Sequence, residues 1–387
     1  MRLERIEGYL LRLPLKEETR VADAPVAFCE TVLARLVGEG VSGWSEVSPG
    51  NEPYLTSEWS AATYLTLRDC LAPRVAALRA VGSPQSLDDA FIALKGARCA
   101  KAAVEMAWQD LSARHKGEPL WKSLGAEKKP LKVGLTFDRT LEREKFFEAL
   151  ARANEEQFGR VALKMRPGWD VQVLNFARID SPHHLQLQVD IEGALDLDMH
   201  ADTLYRMDDF FLNFVEQPLN PRDFVAHAML EEQLRTPICL DESIESIADA
   251  KIAFDVKSCG VVCLKPCRVG GHSSALAIAE LAKANDVGRY AGYDLGSSLG
   301  YRHLLASAAA MNPTFPTDYL RFEETFAYDL VAPIETTLVE EPGVEEKGVP
   351  ARSFRYVELW DEPGIGAEPN LEEAKPYILD QFAIDVK

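Results

Sequence analysis

The chain has 387 residues, 47% of them hydrophobic, and carries 42 basic against 61 acidic side chains, a formal net charge of −19. This length accommodates one barrel of about 200 to 250 residues plus a second domain. The acidic balance argues against nucleic acid or an anionic membrane as a partner. Runs of roughly 18 apolar residues and a signal-peptide pattern are both missing, so we expect a cytoplasmic protein.

The first third of the chain has the pattern of strands followed by helices. Residues 4–15 and 28–38 alternate between apolar and polar side chains, and a turn at Glu39 and Gly40 leads into a third strand over 41–47. Residues from about 56 to 125 show helical periodicity. We therefore predict an α+β domain over residues 1–127.

Strand and helix patterns alternate from Val133 to about Asp318. Within this region, strand-like runs end at five charged residues spaced 26, 26, 25 and 24 positions apart, which are Lys164, Asp190, Glu216, Asp241 and Lys265. About 25 residues is one strand, one helix and two loops of a parallel barrel. Residues at this interval converge at the carboxyl-terminal end of the barrel, where such folds carry their chemistry.

Three converging carboxylates flanked by two lysines predict a metal site. Carboxylates this close repel one another unless a cation neutralises them, and oxygen ligands favour Mg²⁺, with Mn²⁺ as the alternative. An ion held by Asp190, Glu216 and Asp241 can bind a substrate carboxylate and stabilise an enediolate. Lys164 and Lys265 would then face opposite sides of an α-carbon as acid–base groups. Each residue alone is ordinarily a cap or a solvated turn residue, but five in register are hard to produce by chance.

The segments around these residues resemble the enolase superfamily. The matching segments are 163–170 (LKMRPGWD), 189–190 (VD), 215–219 (VEQPL), 239–243 (CLDES) and 264–271 (LKPCRVGG), with 43–46, 53–54, 102–111 and 117–121 upstream. Within the superfamily they are similar to the muconate lactonizing enzyme subgroup, and most to its branch of o-succinylbenzoate synthases and N-succinylamino acid racemases.

The resemblance implies the architecture of the whole chain. It implies an α/β fold, with a modified TIM barrel, (β/α)7β, over residues 128–325 and with residues 1–127 as its α+β capping domain. Residues 326–387 are then a C-terminal segment that packs back on the capping domain. A homo-oligomer is also expected.

The resemblance also implies roles for the five residues. Asp190, Glu216 and Asp241 bind Mg²⁺, and Lys164 and Lys265 are the catalytic pair. In a synthase, which dehydrates its substrate in menaquinone biosynthesis, the first lysine removes the α-proton and returns it to the leaving hydroxide. The second lysine then steadies the enediolate as a cation. In a racemase both lysines exchange protons with a small carboxylate substrate.

Three positions depart from the family pattern around the site. Ala162 stands where the family usually has a lysine, which removes a positive charge beside Lys164, and Arg166 is the candidate replacement. Glu192 stands where an asparagine is usual and adds a fourth acid near the metal. Asp294 stands where a glutamate follows the seventh strand. These changes bear on the substrate and the reaction rather than on the fold.

A loop near residues 16–30 is expected to cover the pocket, because the family places its lid there. It would exclude water and contact the distal part of the substrate, with Arg20 as a candidate partner for a carboxylate. Glu242, directly after Asp241, is a further candidate near the metal or the substrate. The lid sequence does not match the branch. The function therefore stays open among four alternatives: a synthase, a racemase or epimerase of N-acylamino acids or dipeptides, a muconate-type cycloisomerase, and a non-catalytic binding barrel.

The seven cysteines, an odd number, do not form the pairs of a secreted disulfide framework. Cys259, Cys263 and Cys267 recur every four residues, but that step along a strand is about 13 Å, too far for three thiolates to share one ion. Cys239 and Cys263 share strand faces with Asp241 and Lys265. We therefore predict that these two thiols pack in the barrel interior.

Overall fold

The structure is a computed structural model that describes residues 1–22, 24–137, 143–167, 171–180, 185–343 and 350–387. Residues 168–170 of the first matching segment and Asp23 of the expected lid lie outside the described residues. In the described part of the chain, no helix combines the length and apolar character needed to cross a membrane. The cytoplasmic location and the homo-oligomer stay predictions.

Strands form two sheets. In chain order they are Arg5–Val21 (β1), Ala24–Gly38 (β2), Val41–Val47 (β3), Leu131–Phe137 (β4), Arg160–Lys164 (β5), Gln186–Asp190 (β6), Val215–Glu216 (β7), Ile238–Leu240 (β8), Val261–Leu264 (β9), Gly288–Ala291 (β10), Thr317–Tyr319 (β11), Thr336–Glu341 (β12), Arg352–Val357 (β13) and Ile378–Asp385 (β14). The first sheet is antiparallel in the order β14-β1-β2-β3, and the second contains the parallel strands β4 to β11.

Helices cover both sheets. The α-helices are Ser60–Thr66 (α1), Ala72–Leu78 (α2), Pro84–Phe91 (α3), Arg98–Lys116 (α4), Leu120–Ser123 (α5), Arg143–Glu155 (α6), Val171–Asp180 (α7), Leu197–Met207 (α8), Phe224–Gln233 (α9), Ile247–Asp255 (α10), Pro266–Val269 (α11), His272–Ala284 (α12), Ser298–Met311 (α13), Phe322–Thr325 (α14) and Leu371–Ala374 (α15). A π-helical turn spans Leu67–Leu71, and 3₁₀ turns span Asp208–Phe210 and Lys375–Tyr377.

The first sheet packs against α4. Leu36 of β2 and Leu111 of α4 belong to one buried apolar cluster. Gly43 of β3 makes this close approach possible, because a Cβ at this position would lie 2.2 Å from the Ala107 carbonyl oxygen. The helix ends at Gly117, which adopts the left-handed φ of 69° that glycine accommodates. These features confirm the predicted α+β arrangement at the start of the chain.

The parallel strands pair in chain order from β4 to β10, and β11 pairs with the other edge of β4. Because side chains alternate along a strand, Val161 and Leu163 of β5 lie in the apolar layer shared with the helices, whereas Lys164 faces the other way. On the interior side, Cys239 and Cys263 are fully buried in an aromatic cluster with Phe214 and Tyr290. The predicted packing role of these two cysteines is confirmed.

Two segments differ from the expectations and a third agrees with them. The lid near residues 16–30 is the tip of the β1–β2 hairpin rather than a loop, because Thr19, Arg20 and Val21 continue the strand pairing with residues 24–26. Within the tail, β14 pairs with β1 of the first sheet, as expected for packing on the capping domain. The hairpin of β12 and β13 instead extends the barrel sheet through Leu131 and Lys132 of β4. The domain boundaries at 127 and 325 stay predictions.

Asp110 joins three distant parts of the chain. Its side chain is fully buried and accepts hydrogen bonds from the backbone nitrogens of Trp44 (2.8 Å) and Ile365 (2.7 Å). It also accepts one from Arg114 Nε at 2.8 Å. One carboxylate therefore ties β3, α4 and the C-terminal segment together.

Replacing Asp110 with alanine is expected to lower the free energy of unfolding by about 3–5 kcal/mol, because two buried backbone donors and Arg114 Nε lose their acceptor and each unmade bond costs about 1–3 kcal/mol. Urea unfolding followed by circular dichroism measures the change. Asp202→Ala is the matched control, since the Asp202 side chain is 89% exposed, and a change within about 0.5 kcal/mol is expected there. Equal effects of the two substitutions would contradict the role of Asp110.

Candidate active site

The five predicted residues line one cavity at the carboxyl-terminal ends of the barrel strands. Lys164, Asp190 and Glu216 are the last residues of β5, β6 and β7, and each is the pairing partner of the next. Asp241 directly follows β8, and Lys265 directly follows β9. The interval of about 25 residues therefore does bring these side chains to one end of the sheet, as predicted.

Asp241 lies between two cations. Lys265 Nζ donates to Asp241 Oδ2 at 2.8 Å, and Arg268 donates to Asp241 Oδ1 at 2.6 Å. Burial alone would raise the pKa of the Asp241 carboxyl, but Arg268 and Lys265 hold that pKa below its usual range. Asp241 is therefore a carboxylate anion in the floor of the cavity.

Lys265 is bound by two carboxylates. Besides Asp241, its Nζ donates to Asp294 Oδ1 at 2.7 Å, which places the predicted Asp294 beside the second lysine. Burial opposes the ammonium form, but the negative charges of Asp241 and Asp294 raise the pKa of Lys265 above its usual value. This geometry fits a lysine that acts as a fixed cation.

Lys164 has a different environment. Its Nζ lies 2.5 Å from Glu192 Oε1, while Arg166 pairs with the other carboxylate oxygen of Glu192. Arg166 also donates to the Ile191 carbonyl oxygen at 2.6 Å. Glu192 is thus engaged by two cations, and its place as a fourth acid near the metal stays a prediction. Lys164 and Arg166 thus share one carboxylate, and the role of Arg166 as a replacement for the charge missing at Ala162 stays a prediction.

The carboxylates deeper in the site are crowded. Glu216 is buried and accepts hydrogen bonds from Gln188 Nε2 at 3.1 Å and from the Tyr290 hydroxyl. Burial, together with the charges of Asp190 and Asp241, raises the pKa of Glu216 well above its usual range. Burial and the same two charges raise the pKa of Glu242 to about 8. The carboxyl groups of Glu216 and Glu242 therefore resist ionisation here, and a bound cation would favour their charged forms.

These residues fit a divalent cation. Among the described residues, the ligand atoms of Glu216, Asp241 and Cys263 lie within 4.8 Å of one another, and Asp190 is not a member of this tight group. Burial raises the pKa of the Cys263 thiol, and a neutral thiol is a poor ligand for a hard ion. Burial likewise raises the pKa of Asp190, which borders the group on the next strand. The carboxylates of Asp190, Glu216 and Asp241 are therefore oxygen donors whose mutual repulsion a bound cation would relieve.

The remaining candidates line the same cavity. Arg20 reaches it from the β1–β2 hairpin together with Thr19 and Val21, and Glu242 reaches it from the segment after β8. Tyr54 and Leu55 contribute part of the wall from the segment after β3. The cavity is thus bounded by both predicted domains, and its lid is a strand hairpin.

Two residues of the site were not predicted. Arg268 lies three residues after Lys265 and binds Asp241 from the next turn, which no strand interval indicates. Tyr290 lies within β10, in register with Cys263, and its hydroxyl binds Glu216. The interval between strand ends does not lead to it, because Tyr290 lies before the end of its strand.

The chain matches known families and proteins over most of its length. Residues 14–125 match the N-terminal domain of mandelate racemases and muconate lactonizing enzymes, and residues 146–374 match the enolase C-terminal domain-like family. An N-succinylamino acid racemase of Thermus thermophilus is 33% identical over 331 residues, which are 86% of this chain and 89% of the relative. An o-succinylbenzoate synthase of Listeria innocua is 34% identical over 295 residues, which are 76% and 78% of the two chains.

A solved structure shares the whole fold. The crystal structure of an enolase superfamily member from Listeria innocua aligns with a TM-score of 0.90 and 30% identity over 100% of both chains. These comparisons confirm the predicted fold class, an N-terminal capping domain with a C-terminal barrel, and the prediction of a lyase or isomerase. The chain belongs to the enolase superfamily, in its group of mandelate racemases and muconate lactonizing enzymes.

Proposed function

We propose that this enzyme uses Mg²⁺ to abstract the proton α to a substrate carboxylate, and that its reaction is the dehydration named for the o-succinylbenzoate synthases among its relatives. The family uses a divalent metal, and Asp190, Glu216 and Asp241 are the residues that would hold it. When bound, the ion supplies positive charge to a substrate carboxylate that gains electron density as the α-proton leaves. Hard oxygen ligands favour Mg²⁺ for this role.

The asymmetry of the two lysines supports dehydration. Lys265 is nearly buried and is bound by Asp241 and Asp294 at 2.8 and 2.7 Å, so its ammonium is already engaged on two sides. Lys164 is half-buried and has Glu192 as its carboxylate partner. Syn dehydration needs one base and one opposing cation, and these two environments match those two tasks.

In this dehydration, Lys164 alone accepts and returns the transferred proton. Its neutral amine takes the α-proton, and the resulting ammonium returns that proton to the hydroxide that leaves the neighbouring carbon, which gives water. Lys265 keeps its protons and opposes the negative charge that develops on the other face of the substrate. Glu192 orients the Lys164 amine through the 2.5 Å contact. Residues 19–21 of the hairpin limit the access of water.

Racemisation of N-succinylamino acids is the second candidate, because a racemase of Thermus thermophilus is as similar to this chain as the synthase of Listeria innocua. It requires acid–base exchange on both faces of the α-carbon, hence at both Lys164 and Lys265. A non-catalytic barrel is disfavoured, because both lysines lie in the cavity together with the carboxylates.

The purified full chain is tested with the substrate of o-succinylbenzoate synthase and, separately, with both enantiomers of an N-succinylamino acid in D₂O. We expect dehydration that EDTA abolishes and added Mg²⁺ restores. Lys265→Arg should keep part of the dehydratase activity, because it keeps the cation, whereas Lys164→Arg should lose it. Deuterium exchange from both enantiomers without any dehydration would reject the synthase in favour of the racemase. Activity that EDTA leaves unchanged would reject the metal.

A further inference from the structure

Two cysteines from distant parts of the chain meet in the wall of the cavity. Cys99 is the second residue of α4, and Cys267 is the second residue of α11, two positions after Lys265. Both side chains line the cavity, and Cys267 is the foremost cause of the raised pKa of the Cys99 thiol, so the two cysteines are neighbours. Cys99 is buried and Cys267 is half-buried, so the pair is reached from the cavity at Cys267.

The surrounding contacts hold these two thiols together. On α4, the carboxylate of Glu105 accepts hydrogen bonds from the backbone nitrogens of His272 (2.9 Å) and Ser273 (3.2 Å), just beyond α11. It also accepts one from the Ser273 hydroxyl at 2.7 Å. Cys267 itself packs against the apolar cluster under the first sheet. The start of α4 and the turn after Lys265 are therefore docked to each other as one unit.

The start of α4 is fixed independently. The carboxylate of Glu58 accepts hydrogen bonds from the backbone nitrogens of Arg98 at 2.6 Å and Cys99 at 2.9 Å. The third cysteine of the cavity wall, Cys29, donates instead to the Leu295 carbonyl oxygen at 3.0 Å. Because Cys29 is engaged elsewhere, Cys99 is the cysteine of the cavity wall that can pair with Cys267.

We propose that Cys99 and Cys267 form a disulfide on exposure to a peroxide, and that this cross-link reversibly switches off the enzyme. Cys267 reacts first because it is the more accessible thiol. Its thiolate attacks one peroxide oxygen, so an S–O bond forms, the O–O bond breaks, and hydroxide leaves and is protonated to water. Cys99 then attacks the sulfur of Cys267. An S–S bond forms, the S–O bond breaks, and the proton of Cys99 leaves with hydroxide as a second water.

The loss of activity follows from what flanks Cys267, and this part rests on the proposed function. An S–S bond is about 2.05 Å long, so the cross-link draws together two sulfurs that are not bonded in the reduced protein. Lys265 and Arg268 lie on either side of Cys267 in sequence, and both bind Asp241. A displacement of about 1 Å in such a site lowers the rate about 100-fold.

The reduced full chain is treated with hydrogen peroxide, digested without reductant and mapped by mass spectrometry. We expect a linked peptide pair containing Cys99 and Cys267, a fall in dehydratase activity of about 100-fold, and recovery of activity with dithiothreitol. Cys99→Ser should form no cross-link and should keep most of its activity in peroxide. Cys70→Ser is the matched control, because Cys70 is half-buried but does not line this cavity, and it should respond like the unmodified sequence.

Two free thiols after peroxide treatment would overturn the cross-link. An equal loss of activity in Cys99→Ser would show that Cys267 is oxidised alone, and would overturn the pair. A complete cross-link with unchanged turnover would overturn the switch. The peptide map needs no substrate, so it tests the disulfide even if the chain lacks dehydratase activity. A failure of the proposed function is therefore distinguishable from a failure of this inference.

Discussion

Replacing Lys164 with alanine is expected to lower kcat for dehydration by about 10²- to 10⁴-fold, the range that a positioned general base contributes. Lys164 ends β5, which is separated by three strands from β9 and Lys265, and neither Glu192 nor Arg166 can replace its amine. The carboxylate of Glu192 is paired with Arg166, and a guanidinium holds its protons at any working pH. The expected loss lies in kcat more than in KM, because the proton is transferred in the transition state.

The measurement is steady-state kinetics with the synthase substrate, supported by α-deuterium exchange in D₂O. Lys128→Ala is the control, since the Lys128 side chain is 41% exposed and pairs with Asp361 away from the cavity. A Lys164→Ala enzyme that retains more than about a third of the activity of the control would exclude Lys164 as the base. Loss of exchange together with loss of dehydration would support its role at the α-carbon.

Replacing Asp241 with asparagine is expected to have two large effects. Removal of a carboxylate ligand should weaken Mg²⁺ binding by at least about 100-fold, since even changes beyond the ligands themselves cost 10- to 100-fold. The change also removes the negative charge that Lys265 and Arg268 share, and both cations are more than nine-tenths buried. Lys265 keeps Asp294, but Arg268 loses its carboxylate partner, and leaving a buried cation unpaired costs about 3–5 kcal/mol of stability.

Isothermal titration with Mg²⁺ alone measures the first effect, and urea unfolding measures the second. Asp294→Asn is the matched control, because Asp294 also binds Lys265 in the cavity but is not one of the proposed ligands. It should keep Mg²⁺ affinity within a few-fold. Unchanged Mg²⁺ binding in Asp241→Asn would show that Asp241 is not a metal ligand, whatever the effect on stability.

The sequence predicts the positions of strand ends well, because a repeating unit of about 25 residues is imposed by the barrel itself. Lys164, Asp190 and Glu216 lie side by side in register because each ends a strand of the same parallel sheet. This part of the prediction needs no knowledge of side-chain conformation. It depends on backbone geometry, which hydrophobic patterning specifies.

Contacts made after the strands end are harder to predict. Glu192 has a left-handed φ of 49°, and this turn directs its carboxylate to Lys164 and Arg166. Arg268 reaches Asp241 from the turn that follows Lys265. Such contacts depend on turn conformation and side-chain rotamers. Neither the spacing between strand ends nor the amino-acid composition specifies these. The pairing of Glu192 with Lys164 and Arg166 therefore cannot be predicted from the sequence.

The tail illustrates a second limit. The β12–β13 hairpin pairs with Leu131 and Lys132 of β4, and Lys132 places its ammonium 4.0 Å from the ring centre of Phe354. Strand alternation in residues 336–357 indicates a hairpin but does not identify the sheet that it joins, because any exposed edge offers the same backbone partners.

The pairing of β14 with β1 affects how the molecule is made. In the register of this pair, Arg5 lies opposite Asp385, a separation of 380 positions along the chain. The ribosome synthesises β1 before the barrel strands and β14 after them. The edge of β1 that pairs with β14 therefore stays unpaired while the barrel is synthesised. The same β1 carries the hairpin tip over the cavity. A chain that is still being synthesised can therefore contain every proposed catalytic residue while the sheet that carries the hairpin still has an unpaired edge.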